Sequence, residues 1–134
     1  MPIGDHTSPS DEAIAADIVD AALKVHSKLG PGLLESSYEH CLAYELRRRG
    51  HHVIHQHAVP LVYEEMTLEV GYRIDLLVDD RIVVEVKAVE RTLPVHVAQV
   101  LTYLKLLNLQ LGLLINFNVP LIKDGIKRVV RFKS

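Results

Sequence analysis

Several features that would place a protein in a well-defined class are missing from this sequence. Cys41 is the single cysteine among 134 residues, so no disulfide can form within the chain. No apolar run approaches the roughly 18 residues of a membrane-spanning helix, and the N-terminus lacks a basic start followed by an apolar stretch. These absences predict a cytoplasmic protein that does not bind membranes.

A large excess of charge of either sign is missing too. The formal net charge is −2, so no global basic field draws the protein to nucleic acid, and such binding would need a local patch. The basic residues available for a patch toward the C-terminal half are Lys105, Lys123, Lys127, Arg128, Arg131 and Lys133. The sequence also has no glycine-rich phosphate loop, no nucleophile elbow and no dinucleotide-binding fingerprint.

What is present describes a globular α/β (α+β) protein. Hydrophobic residues make up 49% of the chain and charged residues 24%, and 134 residues suffice for one domain with a real core. We predict a flexible N-terminal tail over residues 1–9 and a single domain over residues 10–134. Its elements are predicted in the order α-α-β-β-β-α-β-β, with the helices packed on a mixed β-sheet.

The element boundaries come from hydrophobic periodicity and from start and stop signals. The first helix is predicted to start at Ser8-Pro9, as cap and first helical residue, and to end at Gly30-Pro31-Gly32. The other elements are predicted as a helix over residues 33–49, a strand over 53–63 interrupted by Pro60, a hairpin over 72–88, a helix over 94–108, and strands over 111–117 and 126–132. The run 111–117 is nearly all apolar, which is typical of a strand buried on both faces, and the helix before it predicts parallel pairing with the hairpin.

The hairpin over residues 72–88 carries the most informative pattern. Pairing Val78 with Ile82 across a loop of residues 79–81 gives one entirely aliphatic face, and a two-residue loop would scramble both faces. The aliphatic residues of that face are Ile74, Leu76, Val78, Ile82, Val84 and Val86. On the other face this register sets Asp75 opposite Glu85.

Two carboxylates directly opposite each other on paired strands have Cβ atoms about 4.5–5.5 Å apart and repel each other. A shared proton or a divalent cation would remove the repulsion between Asp75 and Glu85, and oxygen ligands alone favour Mg²⁺ or Mn²⁺ over zinc. Lys87 projects from the same face and adds a cation beside the pair. The alternative is an ordinary surface cluster in which Arg73 and Lys87 neutralise the acids.

Two further groups of polar residues allow two interpretations each. Glu35 opens the second helix, where the helix dipole alone favours a glutamate, but it could also reach the Asp75–Glu85 pair. Gln99 and Tyr103 lie four residues apart on the third helix, either as its polar edge or as a flank of the same site.

The histidines at positions 51, 52, 55 and 57 alternate as strand residues do. No cysteine accompanies them, and no helical histidine pair with a glutamate base occurs, which disfavours a zinc site. We therefore interpret them as solvated histidines on an edge strand.

Together these residues resemble the PD-(D/E)XK nuclease superfamily and, within it, the small prokaryotic GxxExxY family. Gly32, Glu35 and Tyr38 match the naming motif of the family, and Gln99 with Tyr103 forms a QxxxY element similar to that of RecB-type nucleases. The matching stretches are GYRIDLLV, VVEVKAV, LPVHVAQVLTYLKL and LGLLINFNVPLIKDGIKRVV. One position departs from the superfamily's name, because Ile74 stands where the proline would be.

The resemblance implies a restriction-endonuclease-like core and hydrolysis of phosphodiester bonds in DNA or RNA by a metal-activated water. In that reading Asp75, Glu85 and the backbone carbonyl of Val86 would hold Mg²⁺ or Mn²⁺. Lys87 would orient the attacking water or help to deprotonate it, and Glu35 would be an outer carboxylate for the metal.

The QxxxY element has an implied role as well: Gln99 and Tyr103 would position the lysine, the metal's water or a phosphate. Nucleic acid is the implied partner, DNA more than RNA, and homo-oligomerisation is left open. The alternative function is a catalytically inactive nuclease-fold module that binds nucleic acid or a protein partner.

Overall fold

The computed structural model describes residues 7–69 and 71–132. Three α-helices and seven β-strands lie within these residues. They are α1 (Pro9–Leu29), α2 (Glu35–Arg48), β1 (Val53–Ala58), β2 (Leu61–Tyr63), β3 (Met66–Leu68), β4 (Arg73–Val78), β5 (Ile82–Lys87), α3 (Pro94–Leu107), β6 (Leu111–Asn116) and β7 (Ile126–Val130). No helix in the described part combines the length and apolar character that crossing a membrane requires.

Five of the strands form one mixed sheet in the order β1-β4-β5-β6-β7. β5 and β6 are parallel and are connected through α3, and the other neighbours in this sheet are antiparallel. The predicted fold class, with helices packed on a mixed sheet, is confirmed.

The single strand predicted over residues 53–63 is wrong. β1 ends at Ala58, the amide of Val59 still donates to the carbonyl of Tyr72, and Pro60 has no N–H with which to continue the pairing. The chain then leaves the main sheet, and β2 pairs with β3 in a separate two-stranded sheet.

The start of α1 follows the predicted cap. The Ser8 hydroxyl accepts a hydrogen bond from the Asp11 amide at 3.0 Å, and Pro9 occupies the first helical turn, where its missing N–H leaves nothing unsatisfied. Pro9 is therefore the first residue of the helix, as the cap predicted, and the predicted tail of residues 1–9 extends one residue too far. Residues 1–6 of that tail lie outside the described residues.

The hydrophobic core has two parts, one on each face of the main sheet. α1 and α2 cover one face, where Leu42 and Leu46 contact alternate residues of the central strands. α3 covers the opposite face with Val100 and Leu104. Because successive side chains of a strand point to opposite faces, neighbouring residues of β5 and β6 fall into different parts of the core.

α3 lies unusually close to β6 at Gly112. A Cβ atom on Gly112 would be 2.7 Å from Cγ1 of Val100 and 3.2 Å from the carbonyl oxygen of Val83, both nearer than ordinary contact. A side chain at this position would therefore push α3 away from the sheet.

The hairpin of β4 and β5 has the predicted register, with Leu76, Leu77 and Val78 opposite Val84, Val83 and Ile82. Asp79 and Asp80 make the turn in left-handed conformations, with φ of 53° and 56°. Of the six residues predicted to share the aliphatic face, five do, but Ile74 packs instead in the part of the core beneath α3. The pairing of β4 with β5 ends at Leu76 and Val84, so it no longer constrains the face that Ile74 presents.

Candidate active site

Asp75 and Glu85 come together where β4 and β5 separate. The amide of Asp75 donates to Oε2 of Glu85 at 2.8 Å, and the amide of Val86 donates to Oδ2 of Asp75 at 2.8 Å. Each carboxylate therefore reaches across the gap and accepts a hydrogen bond from the backbone of the other strand. This exchange holds the two acids on adjacent strands beside each other.

The pKa values of both carboxyl groups are raised, which shows that this arrangement disfavours their charged forms. Glu85 is only 3% exposed, and burial together with the negative charge of Asp75 raises its pKa to about 8. Burial, assisted by the charge of Glu39, raises the pKa of Asp75 to about 6. Lys87 acts in the opposite direction on both groups without cancelling the shift. Near neutral pH the pair consequently retains a proton unless another positive charge joins it.

The donor set at this point fits a hard divalent cation. In the described residues no three His, Cys, Asp or Glu side chains gather closely enough to hold a metal ion, so Asp75 and Glu85 are the carboxylates available. The N–H and C=O of one residue in an extended strand face the same neighbour, which directs the Val86 carbonyl toward Asp75 as well. Mg²⁺ commonly takes one or two carboxylates and completes its shell with water and substrate oxygens.

Lys87 lies at the end of β5, beside the acids. Its charge lowers the pKa of both Asp75 and Glu85, which places the ammonium near each of them. The strand end is fixed by the amide of Phe117, which donates to the Lys87 carbonyl at 2.9 Å. Among the described residues nothing accepts a hydrogen bond from the ammonium.

Glu35 is the first residue of α2, and its Oε2 accepts from the amide of Ala88 at 3.3 Å. The Glu35 side chain therefore contacts the backbone of the residue that directly follows Lys87 in the chain. Glu35 does not join Asp75 and Glu85 in a three-carboxylate group of the described residues, and its part in metal binding stays a prediction.

Gln99 and Tyr103 lie on the side of α3 that faces the carboxylates. The Gln99 amide donates to the Tyr103 hydroxyl at 3.3 Å. Burial, and next the negative charge of Glu85, raise the pKa of Tyr103, so its hydroxyl lies near the acid pair. The structure thus brings the QxxxY pair to the same region as the acids.

A groove of about 530 Å³ opens beside this region between α3 and the small sheet. Its polar lining consists of Tyr72, His96, Gln99, Thr102 and Tyr103, and aliphatic side chains form the rest. Tyr72 is 46% exposed. No Lys, Arg, Asp or Glu contributes to the lining among the residues that the structure describes.

Two residues near Asp75 were missed in the sequence. The Gln56 amide donates to Oδ1 of Asp75 at 3.2 Å and to Oε1 of Glu39 at 2.6 Å. Glu39 lies one helical turn after Glu35, so its spacing on α2 could have identified it. Gln56 offered no such signal, because it stands among strand residues.

The interpretation of the histidines as solvated is wrong for two of them. His51 bonds Asp79 through Nδ1 at 2.6 Å and Asp17 through Nε2 at 2.5 Å. His55 bonds Glu39 through Nε2 at 2.9 Å. β1 does lie at the sheet edge, but α1, α2 and the hairpin turn supply carboxylates to these rings.

Part of the proposed basic patch is engaged within the fold. Arg128 forms an ion pair with Glu12, and Arg131 donates to Asn108 and to the carbonyl of Leu109. Lys133 lies outside the described residues.

Comparison with protein families agrees with this geometry. A family model described as the PD-(D/E)XK nuclease superfamily matches residues 12–129, which is most of the chain. The chain belongs to this superfamily, and the resemblance seen in the sequence is confirmed at that level. Comparisons with curated proteins and with solved structures give no significant match.

Proposed function

We propose that this protein is a nuclease that depends on Mg²⁺ or Mn²⁺ and hydrolyses phosphodiester bonds of nucleic acid, DNA more than RNA. The observation that carries the proposal is the pair of Asp75 and Glu85, held across a strand gap with Lys87 beside them. A buried acid pair is costly in isolation and becomes favourable when a divalent cation replaces its proton.

The residues divide the chemistry among them. A hard cation, when bound, lowers the pKa of a coordinated water and offsets negative charge on the phosphate. Asp75, Glu85 and the Val86 carbonyl hold it. Lys87 orients the attacking water or neutralises charge that develops on the phosphate oxygens.

The QxxxY pair and the groove supply the substrate side of the proposal. The Tyr103 hydroxyl and the Gln99 amide can donate hydrogen bonds to a phosphate oxygen or to the water. The uncharged groove beside them suits the neutral part of a nucleotide, with the exposed ring of Tyr72 available for stacking on a base. Glu35 would act as an outer carboxylate.

The second candidate is a nuclease-fold module that binds nucleic acid or a protein partner without cleaving it. The formal net charge of −2 favours it, since proteins that follow a phosphate backbone usually present several basic side chains to it. Retention of both acids and the lysine favours the enzyme, because a module without a cation would gain stability by losing one acid.

A cleavage assay distinguishes the two candidates. Single-stranded DNA, double-stranded DNA and RNA are each incubated with the protein in Mg²⁺, Mn²⁺ or EDTA, beside Glu85→Ala and Lys87→Ala. The control is Lys28→Ala, which removes an exposed lysine in the last turn of α1. We expect cation-dependent cleavage by wild type and by the control only. No cleavage by wild type, or equal cleavage by the two site variants, would reject the enzyme.

A further inference from the structure

Gln56 has a backbone conformation that a strand residue does not normally adopt. Its φ is 58°, in the left-handed region, although it lies in the middle of β1. Its neighbours keep their pairing, with His55 opposite Leu76 and His57 opposite Ile74, so Gln56 stands opposite Asp75. Backbone strain of this kind persists only where the surroundings enforce it, and it is concentrated at functional sites.

The side chain of Gln56 explains what the conformation achieves. A glutamine amide has two N–H donors, and here its nitrogen contacts two carboxylates, at 2.6 Å from Glu39 and 3.2 Å from Asp75. The contact to Asp75 is made to Oδ1, while Oδ2 accepts from the Val86 amide. Both oxygens of Asp75 thus have a fixed hydrogen-bond donor, and the rotation of the carboxylate is set.

Glu39 holds the other end of this arrangement. It is 7% exposed on α2, and the same oxygen, Oε1, also accepts from Nε2 of His55. The ring of His40 meets the ring of His55 edge-on, with centroids 4.5 Å apart. The Glu39 carboxylate is therefore fixed by its position on α2 and by His55, and it directs the Gln56 amide toward Asp75.

We propose that Gln56 and Glu39 are positioning residues that hold Asp75 in the orientation in which it binds the cation. Gln56 acts on Asp75 directly, and Glu39 acts through Gln56. Neither is itself a cation ligand in this account, because the Gln56 nitrogen is a donor and Oε1 of Glu39 already accepts two hydrogen bonds. The inference rests on the proposed function, since it assumes that Asp75 binds a cation.

Substitutions at Gln56 separate positioning from folding. Gln56→Gly adopts a left-handed φ without strain, so the variant should melt at or near the temperature of wild type although the amide is gone. Gln56→Asn also tolerates this conformation, but its amide is one methylene shorter. We expect both variants to bind Mn²⁺ roughly 10- to 100-fold more weakly than wild type, as when an outer-shell partner of a metal ligand is removed.

Substitutions at Glu39 distinguish a positioning residue from a ligand. Glu39→Gln keeps an oxygen that can accept from Gln56, so its Mn²⁺ affinity should remain close to that of wild type. Glu39→Ala removes the acceptor and should weaken Mn²⁺ binding as Gln56→Gly does. Glu45→Ala is the control, because it deletes a similarly buried glutamate of α2 that pairs with Lys24 and Arg49. It should lower the melting temperature and leave Mn²⁺ affinity unchanged.

The measurements are calorimetric titration of the full chain with Mn²⁺ and thermal melting in EDTA. If cleavage is present, saturating Mn²⁺ should restore most of the rate of Gln56→Gly, because the defect lies in cation affinity. Wild-type affinity in both Gln56 variants would overturn the inference while leaving the nuclease proposal intact. Equal loss in Glu39→Gln and Glu39→Ala would overturn it in favour of a charged ligand. No Mn²⁺ binding by wild type would overturn both proposals.

Discussion

Neutralising Glu85 should make the cation-free protein more stable, although the residue is buried and polar. Glu85→Gln keeps an oxygen that can accept the hydrogen bond from the Asp75 amide. It removes the charge that burial and Asp75 disfavour. Most substitutions of buried, hydrogen-bonded side chains destabilise a protein, so an increase in stability would be specific to this electrostatic arrangement.

The size of the effect follows from the pKa of Glu85. A carboxyl whose pKa is higher in the folded state contributes stability below its unfolded pKa and loses it as the pH rises through the folded pKa. For Glu85 these limits are 4.5 and about 8. At pH 9 the full difference corresponds to roughly 5 kcal/mol, an upper value because Asp75 titrates with it. For a chain of this size that predicts an increase in Tm on the order of 10 °C.

Thermal melts in EDTA at pH 5, 7 and 9 measure this difference. We expect the Tm of Glu85→Gln to exceed that of wild type by an amount that is small at pH 5 and largest at pH 9. Mg²⁺ at pH 9 should raise the Tm of wild type more than that of the variant, because only wild type presents two ionised carboxylates to the cation. A lower Tm for the variant at pH 9, or a difference independent of pH, would refute the reasoning.

Glu45→Gln is a matched control of opposite sign. Glu45 lies on α2 and is buried, as Glu85 is on β5. Hydrogen bonds from Arg49 and Lys24 outweigh the burial of Glu45 and lower its pKa. Neutralising Glu45 should therefore reduce the Tm, and Mg²⁺ should leave the difference from wild type unchanged. An increase in Tm for both variants would point to a general effect of removing negative charge.

Three other substitutions test separate parts of the site and the fold. Lys87→Ala should reduce the single-turnover cleavage rate about 10²- to 10³-fold while Mn²⁺ affinity in calorimetry is retained, and an unchanged rate would remove Lys87 from the reaction. Tyr72→Ala should weaken the binding of a single-stranded oligonucleotide roughly 5- to 150-fold in fluorescence anisotropy, if a base stacks on the ring. The pKa of His51 is raised because its two aspartate partners outweigh its burial. The ion pairs of His51 therefore stabilise the fold at a pH below the unfolded pKa of the histidine, and this stabilisation is lost as the pH rises through its folded pKa. His51→Gln should therefore lower the Tm more at pH 6 than at pH 9, and the reverse order would contradict this sign.

The parts of the fold that the sequence predicted are those in which local pattern and sheet geometry agree. The aliphatic residues on both sides of the Asp79–Asp80 turn allow a single register, and that register is the one observed. The apolar run of β6 and the helix before it predicted the parallel neighbour of β5 in the same way. In each case a short stretch of chain contains all the information that is needed.

The parts that were missed depend on contacts between distant segments. Gln56 and Glu39 meet across 17 residues, and the left-handed backbone that turns Gln56 to Asp75 has no signature in its neighbours. His51 lies between carboxylates from α1 and from the hairpin turn, a contact that no local periodicity reveals. The face of Ile74 was predicted wrongly because the pairing of β4 with β5 ends at Leu76 and does not reach Asp75 or Ile74.

Gly112 links the packing of this fold to its chemistry. Val100 and Tyr103 lie on the same helix, so a shift of α3 away from β6 at Gly112 would also move the Tyr103 hydroxyl relative to Asp75 and Glu85. The spacing between α3 and β6 at this point depends on the hydrogen atom that Gly112 carries in place of a methyl group. Gly112→Ala would change the spacing of the proposed site without altering any group that carries charge, so the packing of α3 on β6 is a determinant of the site that inspection of its polar residues alone would overlook.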